Sequence, residues 1–338
     1  MLKRVLLSFG LFLIFGISGT AYLFLATYET APVDPAWAVR GSESIPEGSV
    51  TVRFTGTSTL LFSDGETSWM VDGWFSRPGP LALLQGTIAP DLDAIEEGLA
   101  RNHVDRLAVV IPVHSHFDHA MDAPEVARRT GAILLGSEST ANIGRGWGLS
   151  EDQIQIAIDR QPVEFGRFTL TLIETNHFEF PDPVVREQAL SNPKISEPLI
   201  PPVAPFDYRL GKAYAIHVRH PKGTWLIQAS AGFRPGGLEG FEADVLFLGI
   251  GGLGTQTSDY RESYWRETVI PSGARRVIPI HWDSLTGPIE GEFTGEVRGA
   301  SILSGGLDHT RSFLEEKLAE ESSLRFTTLP RYEEVVLF

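Results

Sequence analysis

The residues best suited to chemistry form one short run, His114-Ser-His116-Phe-Asp118-His119, which holds three of the chain's nine histidines. Imidazole and carboxylate are the ligands that Zn2+, or Mn2+ and Fe2+, accept where no thiolate is offered. The chain has no cysteine, so disulfide frameworks, thiolate zinc sites and cysteine nucleophiles are all excluded. The run directly follows LAVVIPV, a continuous apolar stretch that reads as a fully buried strand. It precedes Asp122-Ala-Pro-Glu, which predicts a helix with Asp122 as N-cap, Pro124 in its first turn and Gly131 as its stop. A loop that leaves a strand and enters a capped helix can turn its imidazoles toward one point. Two other stretches carry less. Gly249-Ile-Gly251-Gly252-Leu-Gly254 follows the apolar DVLFL but has no Walker lysine and no basic neighbour. It reads as a tight turn that brings backbone near the site. Ser58 and Ser272 show no nucleophile elbow around them.

HSHFDH resembles the HxHxDH signature of the metallo-β-lactamase-fold hydrolases, and the order of elements around it is similar over roughly residues 50–338. The resemblance implies an α/β chain folded as a four-layer αββα sandwich, with the site at the strand ends along one edge. It also implies partners for the run. Asp72 in SWMVDG matches a strand-end aspartate whose role is to orient a histidine from behind, where metal sites commonly place a carboxylate. Asp72 reads equally well as a turn residue before Gly73. His177 in LIETNHF and His281 in VIPIHWD match the two downstream histidines. By the family pattern, one metal site takes His114, His116 and His177, and the other takes Asp118, His119 and His281. His103, His217, His220 and His309 read as ordinary surface or core histidines.

One position departs from the pattern. Where the family has an aspartate that bridges two metals, this strand reads TWLIQASAG, and Ser230 stands in its place. No Asp or Glu lies between Trp225 and Arg234. A hydroxyl cannot bridge two cations as a carboxylate does. The expectation is one tightly held metal at His114, His116 and His177, with the second site weak or absent. Zn2+ is the first choice, with Mn2+ and Fe2+ as alternatives. The implied activity is hydrolysis of an ester, lactone or phosphodiester by metal-activated water. Asp118 would orient that water or accept its proton while also serving as a ligand. The stretch RFTGTSTLLFSDGETSWMVDG and the segment after His177 are more similar to the lactonase and lipid-phosphodiesterase branches than to β-lactamases. Ser230 also leaves open a non-catalytic, metal-binding envelope protein that retains the fold.

The elements that must position these residues follow from composition and pattern. The chain has 338 residues, 42% hydrophobic and 21% charged, a mix that folds. A formal net charge of −15 without a Lys/Arg-rich run argues against nucleic acid as a partner. A small-molecule or lipid-like substrate fits better. From Val50 onward, short strands alternate with Gly- and Pro-marked turns, among them an Asp64-Gly65 hairpin. A helix is expected around Asp91–Asn102. AILLG, FGRFTLTLIET, AYAIHVRH, TWLIQAS, DVLFLGIGG and RRVIPIH are strand-like, and no shift in composition divides residues 50–338 into separate domains. A Pro-rich insertion at about 178–212 carries seven prolines and reads as an extended excursion.

Ahead of this domain, residues 29–49 are rich in Pro, Ser, Gly and Glu and read as a linker. Val5 to Tyr28 has no charged side chain. As a helix this run would reach about 36 Å, enough for a hydrocarbon core of about 30 Å. Residues 1–28 are therefore expected to be a transmembrane anchor, with a cleaved signal peptide as the competing reading. Lys3 and Arg4 precede the run, which puts the N-terminus in the cytoplasm and the catalytic domain outside, in the periplasm or at the cell exterior. Cleavage would make the protein secreted. A reporter fused after Phe338 should be active only outside the cytoplasm, and the protein should stay with membranes through a high-salt wash. A mature N-terminus near residue 30 would replace the anchor with a signal peptide.

Overall fold

The computed structural model describes residues 27–298 and 306–338. Residues 1–26 of the expected anchor lie outside the described residues, whereas Thr27 and Tyr28, placed in the anchor by their apolar context, pair with Arg298 and Val297 of the folded domain; among the described residues, no helix is long and apolar enough to cross a membrane. The first half of the chain begins as an antiparallel meander, β1 (Thr51–Gly56), β2 (Thr59–Ser63) and β3 (Ser68–Val71). It continues in parallel through β4 (Val109–Ile111), β5 (Ile133–Gly136) and β6 (Ile154–Ile156). The second half repeats the plan. β7 (Pro162–Phe165), β8 (Phe168–Thr175), β9 (Ala213–His220) and β10 (Gly223–Gln228) are antiparallel, and β11 (Val245–Gly249), β12 (Arg276–Ile280) and β13 (Arg325–Phe326) are parallel to β10. β14 (Val335–Val336) returns to pair with β1, so each half forms a seven-stranded mixed sheet.

Strand alternation sorts the apolar residues into layers. In β2 and β3, Phe62 and Trp69 point between the sheets, where Phe62 meets Trp225 at 5.3 Å and Phe247 edge-on at 5.4 Å between ring centroids. Their neighbours Leu61 and Met70 point outward, onto Ile95 and Leu99 of the helix Leu92–Arg101 and Val126 of the helix Ala123–Thr130. On the far side, Trp265 of the helix Ser258–Ser272 packs against Phe313 of the helix Gly306–Glu320 and against Phe326 of β13. The layering is αββα.

Three expectations need correction. Residues 29–49 are not a free linker throughout. Asp34 caps a short 3-10 turn, Pro35–Trp37, and Val33 and Trp37 are buried. Trp37 lies 4.8 Å from Phe326, and Ala38 bridges to Thr328. Two isolated apolar residues make no periodic pattern, so a composition rule passes over them. The Pro-rich insertion is not simply extended, since Asp182 caps a helix, Pro183–Leu190, within it. Asp122 stands at the N-cap position but makes no cap hydrogen bond. Its carboxylate instead accepts the Phe75 and Ser76 amides, each at 2.7 Å, and the Ser76 hydroxyl at 2.6 Å. Burial pushes the Asp122 carboxyl up to about 6, against these hydrogen bonds. Gly131, in the left-handed region at φ 72°, ends that helix as expected.

Trp37→Ala should cost about 3 kcal/mol of stability, the usual range for deleting a buried aromatic side chain. A lowered denaturant midpoint with an unchanged slope is the expected reading. An unmoved midpoint would mean the segment is not part of the folded core.

Candidate metal centre

The site lies at the carboxyl ends of β3, β4, β8 and β12, where the strands stop and their loops converge. Asp72 follows β3 with a left-handed φ of 58°. Its two oxygens are fully used. Oδ1 accepts the Val113 amide at 2.9 Å, tying the end of β4 to β3, and Oδ2 accepts His119 Nδ1–H at 2.8 Å. The Ser58 hydroxyl donates to that same Oδ2 and lies 3.1 Å from His119 Nδ1. His119 thus presents its other nitrogen, Nε2, to the site.

His116 opens the short helix Phe117–Ala120. Its Nε2–H donates to the Ala189 carbonyl at 3.1 Å, so Nδ1 is the free nitrogen, 3.1 Å from His114 Nε2. Ala189 sits near the end of the helix inside the Pro-rich insertion, which therefore folds back over the His114–His119 run. His177 follows β8, and its Nδ1–H donates to the Phe178 carbonyl at 2.8 Å. His281 follows β12 with φ 57°, and its amide donates to the Thr57 carbonyl at 2.5 Å. Thr57 is itself held, because its amide donates to Asp283 and its hydroxyl accepts from the buried Arg77. Arg77 lies 3.5 Å from Asp283 and stacks 4.3 Å over Trp74. The glycine-rich turn abuts the site: a Cβ at Gly251 would fall 2.4 Å from His281 Nδ1, and one at Gly252 2.6 Å from the Phe178 ring.

The side chains gather in two adjoining groups, His114 with His116 and His177, and Asp118 with His119 and His281. In the second group, His281 Nε2 lies 3.2 Å from both His119 Nε2 and Asp118 Oδ2, and His119 Nε2 lies 3.3 Å from that oxygen. Ligand bonds of about 2.0 Å in a tetrahedron set donor atoms about 3.3 Å apart. Imidazole nitrogens facing each other at this spacing suit one cation at their centre, and in His116, His119 and His177 the other ring nitrogen is turned away toward a carboxylate or carbonyl. His114 Nδ1 is buried without a hydrogen-bond partner. The donor set fits a divalent metal.

Ser230 follows β10 and is buried, its hydroxyl without a hydrogen-bond partner. The turn it opens presses on the His177 turn, where a Cβ at Gly232 would fall 2.0 Å from the Asn176 carbonyl. The other histidines stand apart from the two groups. His217 bonds the Glu242 carbonyl, His220 bonds Asp64 in the hairpin, His309 bonds the Gly254 carbonyl, and His103 is exposed. Sequence reasoning missed Ser58, Thr57, Arg77 and Asp283, none of which lies in the metal-ligand run. The one local signal was Asp283, two positions after His281.

Protonation divides the groups. Burial, then the neighbouring His119 and His116, hold His114 well below the usual histidine range, and burial also lowers His116. Burial, with the nearby His116, pushes His177 down to about 3. These imidazoles are neutral and ready to bind at pH 7. Burial would lower His119 as well, but the Asp118 and Asp72 carboxylates outweigh it and raise it to about 10. Asp118 is held well below the carboxylate range by His119 and His281 despite its burial.

No family model matches the sequence, and no curated protein matches it. Solved structures do. Igni18, a novel metallo-hydrolase from the hyperthermophilic archaeon Ignicoccus hospitalis, superposes with a TM-score of 0.52 at 14% identity, over 85% of this chain and 97% of that one. A possible metal-dependent hydrolase from Veillonella parvula gives 0.50 at 14% identity, over 86% and 99%. The metallo-β-lactamase-fold protein YhfI from Bacillus subtilis gives 0.44 at 16% identity, over 85% and 99%. With its αββα layers and an HxHxDH run at the strand ends, the chain has the metallo-β-lactamase fold, and the structures it is similar to include metallo-hydrolases.

In the metal-free protein His119 carries a proton at neutral pH that a cation must displace. Metal uptake by the Asp118 group should therefore strengthen by about tenfold per pH unit between pH 6 and 9. Uptake by the His114 group, already neutral, should stay flat. Calorimetric titration of the metal-free protein at several pH values separates the two, and parallel slopes would contradict the assignment.

Proposed function

We propose that this protein is a metallo-hydrolase that cleaves an ester, lactone or phosphodiester, with its domain held at the outer face of a membrane. The observation that carries the reading is the convergence of five histidines and Asp118 at ligand spacing. His114, His116 and His177 would hold one cation, and Asp118, His119 and His281 a second. A bound divalent cation supplies Lewis acidity and lowers the pKa of water from about 15.7 towards 7.

The chain's own residues do the rest. Asp118 reaches the site as an ionised carboxylate; with Oδ2 facing His119 and His281, its other oxygen, Oδ1, is free to orient the attacking water and take its proton. Asp72 holds His119 in one tautomer, and the Ala189 carbonyl does the same for His116. Phe178 and Phe180 flank the His177 ring at 4.4 and 5.3 Å and keep that side of the site apolar. Ser230 gives the pair of sites no bridging charge, so a second dication meets more of the first one's repulsion. The reading is therefore one tightly held metal, Zn2+ by preference, with Mn2+ or Fe2+ as alternatives, and a weaker second one. The apolar N-terminal run and the acidic body support an extracytoplasmic, membrane-tethered enzyme acting on small or lipid-like molecules.

Elemental analysis after dialysis should find about one metal per chain. His116→Ala and His177→Ala should lose that metal together with turnover on a panel of esters, lactones and phosphodiesters, while His217→Ala keeps both. Ser230→Asp should raise occupancy of the second site. Stoichiometric metal without turnover on any substrate class would favour a non-catalytic metal-binding protein. Full metal content in His116→Ala would overturn the ligand assignment.

A further inference from the structure

We propose that an apolar rim beside the metal centre, made by Leu81, Leu84 and Ile200, rests on a lipid bilayer, so that the centre takes an amphiphilic substrate from the membrane surface. The inference builds on the metallo-hydrolase reading and names its substrate class.

The rim is built on the same floor as the site. Phe117, between His116 and Asp118, packs edge-on against Trp74 at 6.0 Å and joins an apolar cluster that includes Met121, Ile88 and Tyr208. Ala82 and Leu83 of the helix Pro80–Gln85 pack onto this cluster. Their helix neighbours Leu81 and Leu84, three positions apart and so on one face, are 65% and 69% exposed. Ile88 and Val203 exchange backbone hydrogen bonds at 2.8 and 3.1 Å, which brings the Pro-rich insertion alongside. There Leu199 packs inward while Ile200 stands 70% exposed. Single exposed apolar residues are ordinary, but three of this size on adjoining segments beside a reactive site mark a contact surface.

The chain itself says what covers it. Leu285, shortly after His281, packs on the same cluster, and the carbonyl of Thr286 accepts the Tyr28 hydroxyl at 3.0 Å. Tyr28 bridges to Val297, and the Thr27 carbonyl accepts the Arg298 amide at 2.8 Å. Residues 5–26 of the apolar run therefore lead into the fold beside the rim, and placing them in a bilayer would bring the membrane surface to this side of the molecule. Ile270 is a matched contrast. It is 54% exposed, but it lies near the Ser272 carbonyl that accepts the Ala243 amide, at the opposite end of the strands from His281.

The absence of cysteine allows a direct test on the full chain. Leu84→Cys, Ile200→Cys and Ile270→Cys would each be labelled with an environment-sensitive fluorophore and reconstituted into phosphatidylcholine vesicles carrying doxyl-labelled lipid. The labels at 84 and 200 should be quenched by the doxyl lipid, and the label at 270 only by aqueous iodide. A second variant, Leu81→Glu with Leu84→Glu, should slow cleavage of a long-chain para-nitrophenyl ester held in the vesicles by about tenfold, with para-nitrophenyl acetate in solution unaffected. Labels at 84 and 200 open to iodide would overturn the proposal. So would labels shielded from both quenchers, since residues 5–26 or a second copy would then cover the rim. An equal loss on both esters would overturn the substrate class. Metal content of the same samples is read separately, so a failed metal assignment appears there and leaves the quenching result standing.

Discussion

The rest of the site depends on one buried carboxylate. Asp72 is fully inaccessible at the end of β3, where an unpaired charge would be costly. Every one of its neighbours answers that cost with a hydrogen bond. The Val113 amide fixes the path of the chain as it leaves β4, Ser58 brings in the turn between β1 and β2, and His119 is held with Nδ1 protonated. Through these three bonds, two loops and a strand end are set before any metal arrives. His119 is left with one nitrogen to offer and one direction in which to offer it.

The same logic recurs around the other candidate ligands with different partners. His116 is fixed by a carbonyl from the Pro-rich insertion and His177 by the carbonyl that follows it. His281 is fixed through its backbone, held by Thr57, which in turn leans on the buried Asp283 and Arg77. Asp72, Thr57 and His281 all sit in the left-handed region, unusual for non-glycine residues. Such conformations persist only where surroundings determine them, and they cluster at functional sites. Here the surroundings are the ion pair behind Thr57 and the glycine turn at Gly251, whose missing side chain leaves room for the His281 ring.

The insertion ties the chemistry to the exterior. Its helix closes over His116, and its far limb, bridged to Ile88, presents apolar side chains to the outside. For the proposed membrane contact, an acidic chain of net charge −15 would gain little from charge attraction to an anionic surface, so apolar side chains would have to supply the attraction.

Much of this was legible in the sequence, and the physical reason is periodicity. Buried strands such as LAVVIPV, the Asp64-Gly65 hairpin and the Gly131 stop each declare themselves within a few residues, because pleat, turn and cap are local. His114, His116, Asp118 and His119 were legible because they stand in one compact run, whereas His177 and His281, lone strand-end histidines, were candidates only through the family resemblance. What only the tertiary structure decided is how residues far apart in the chain complete one another. That Ala189 would fix His116, that Asp283 and Arg77 would brace His281, and that Trp37 would leave its Pro-rich surroundings for the core are long-range contacts. So is the work of Asp122, whose carboxylate serves the 75–76 loop instead of its own helix. A single hydrogen bond or a single buried ring leaves no repeating pattern along the chain, so the sequence determined the strands and the candidate ligand run, and the packing of the two sheets determined what holds those side chains still.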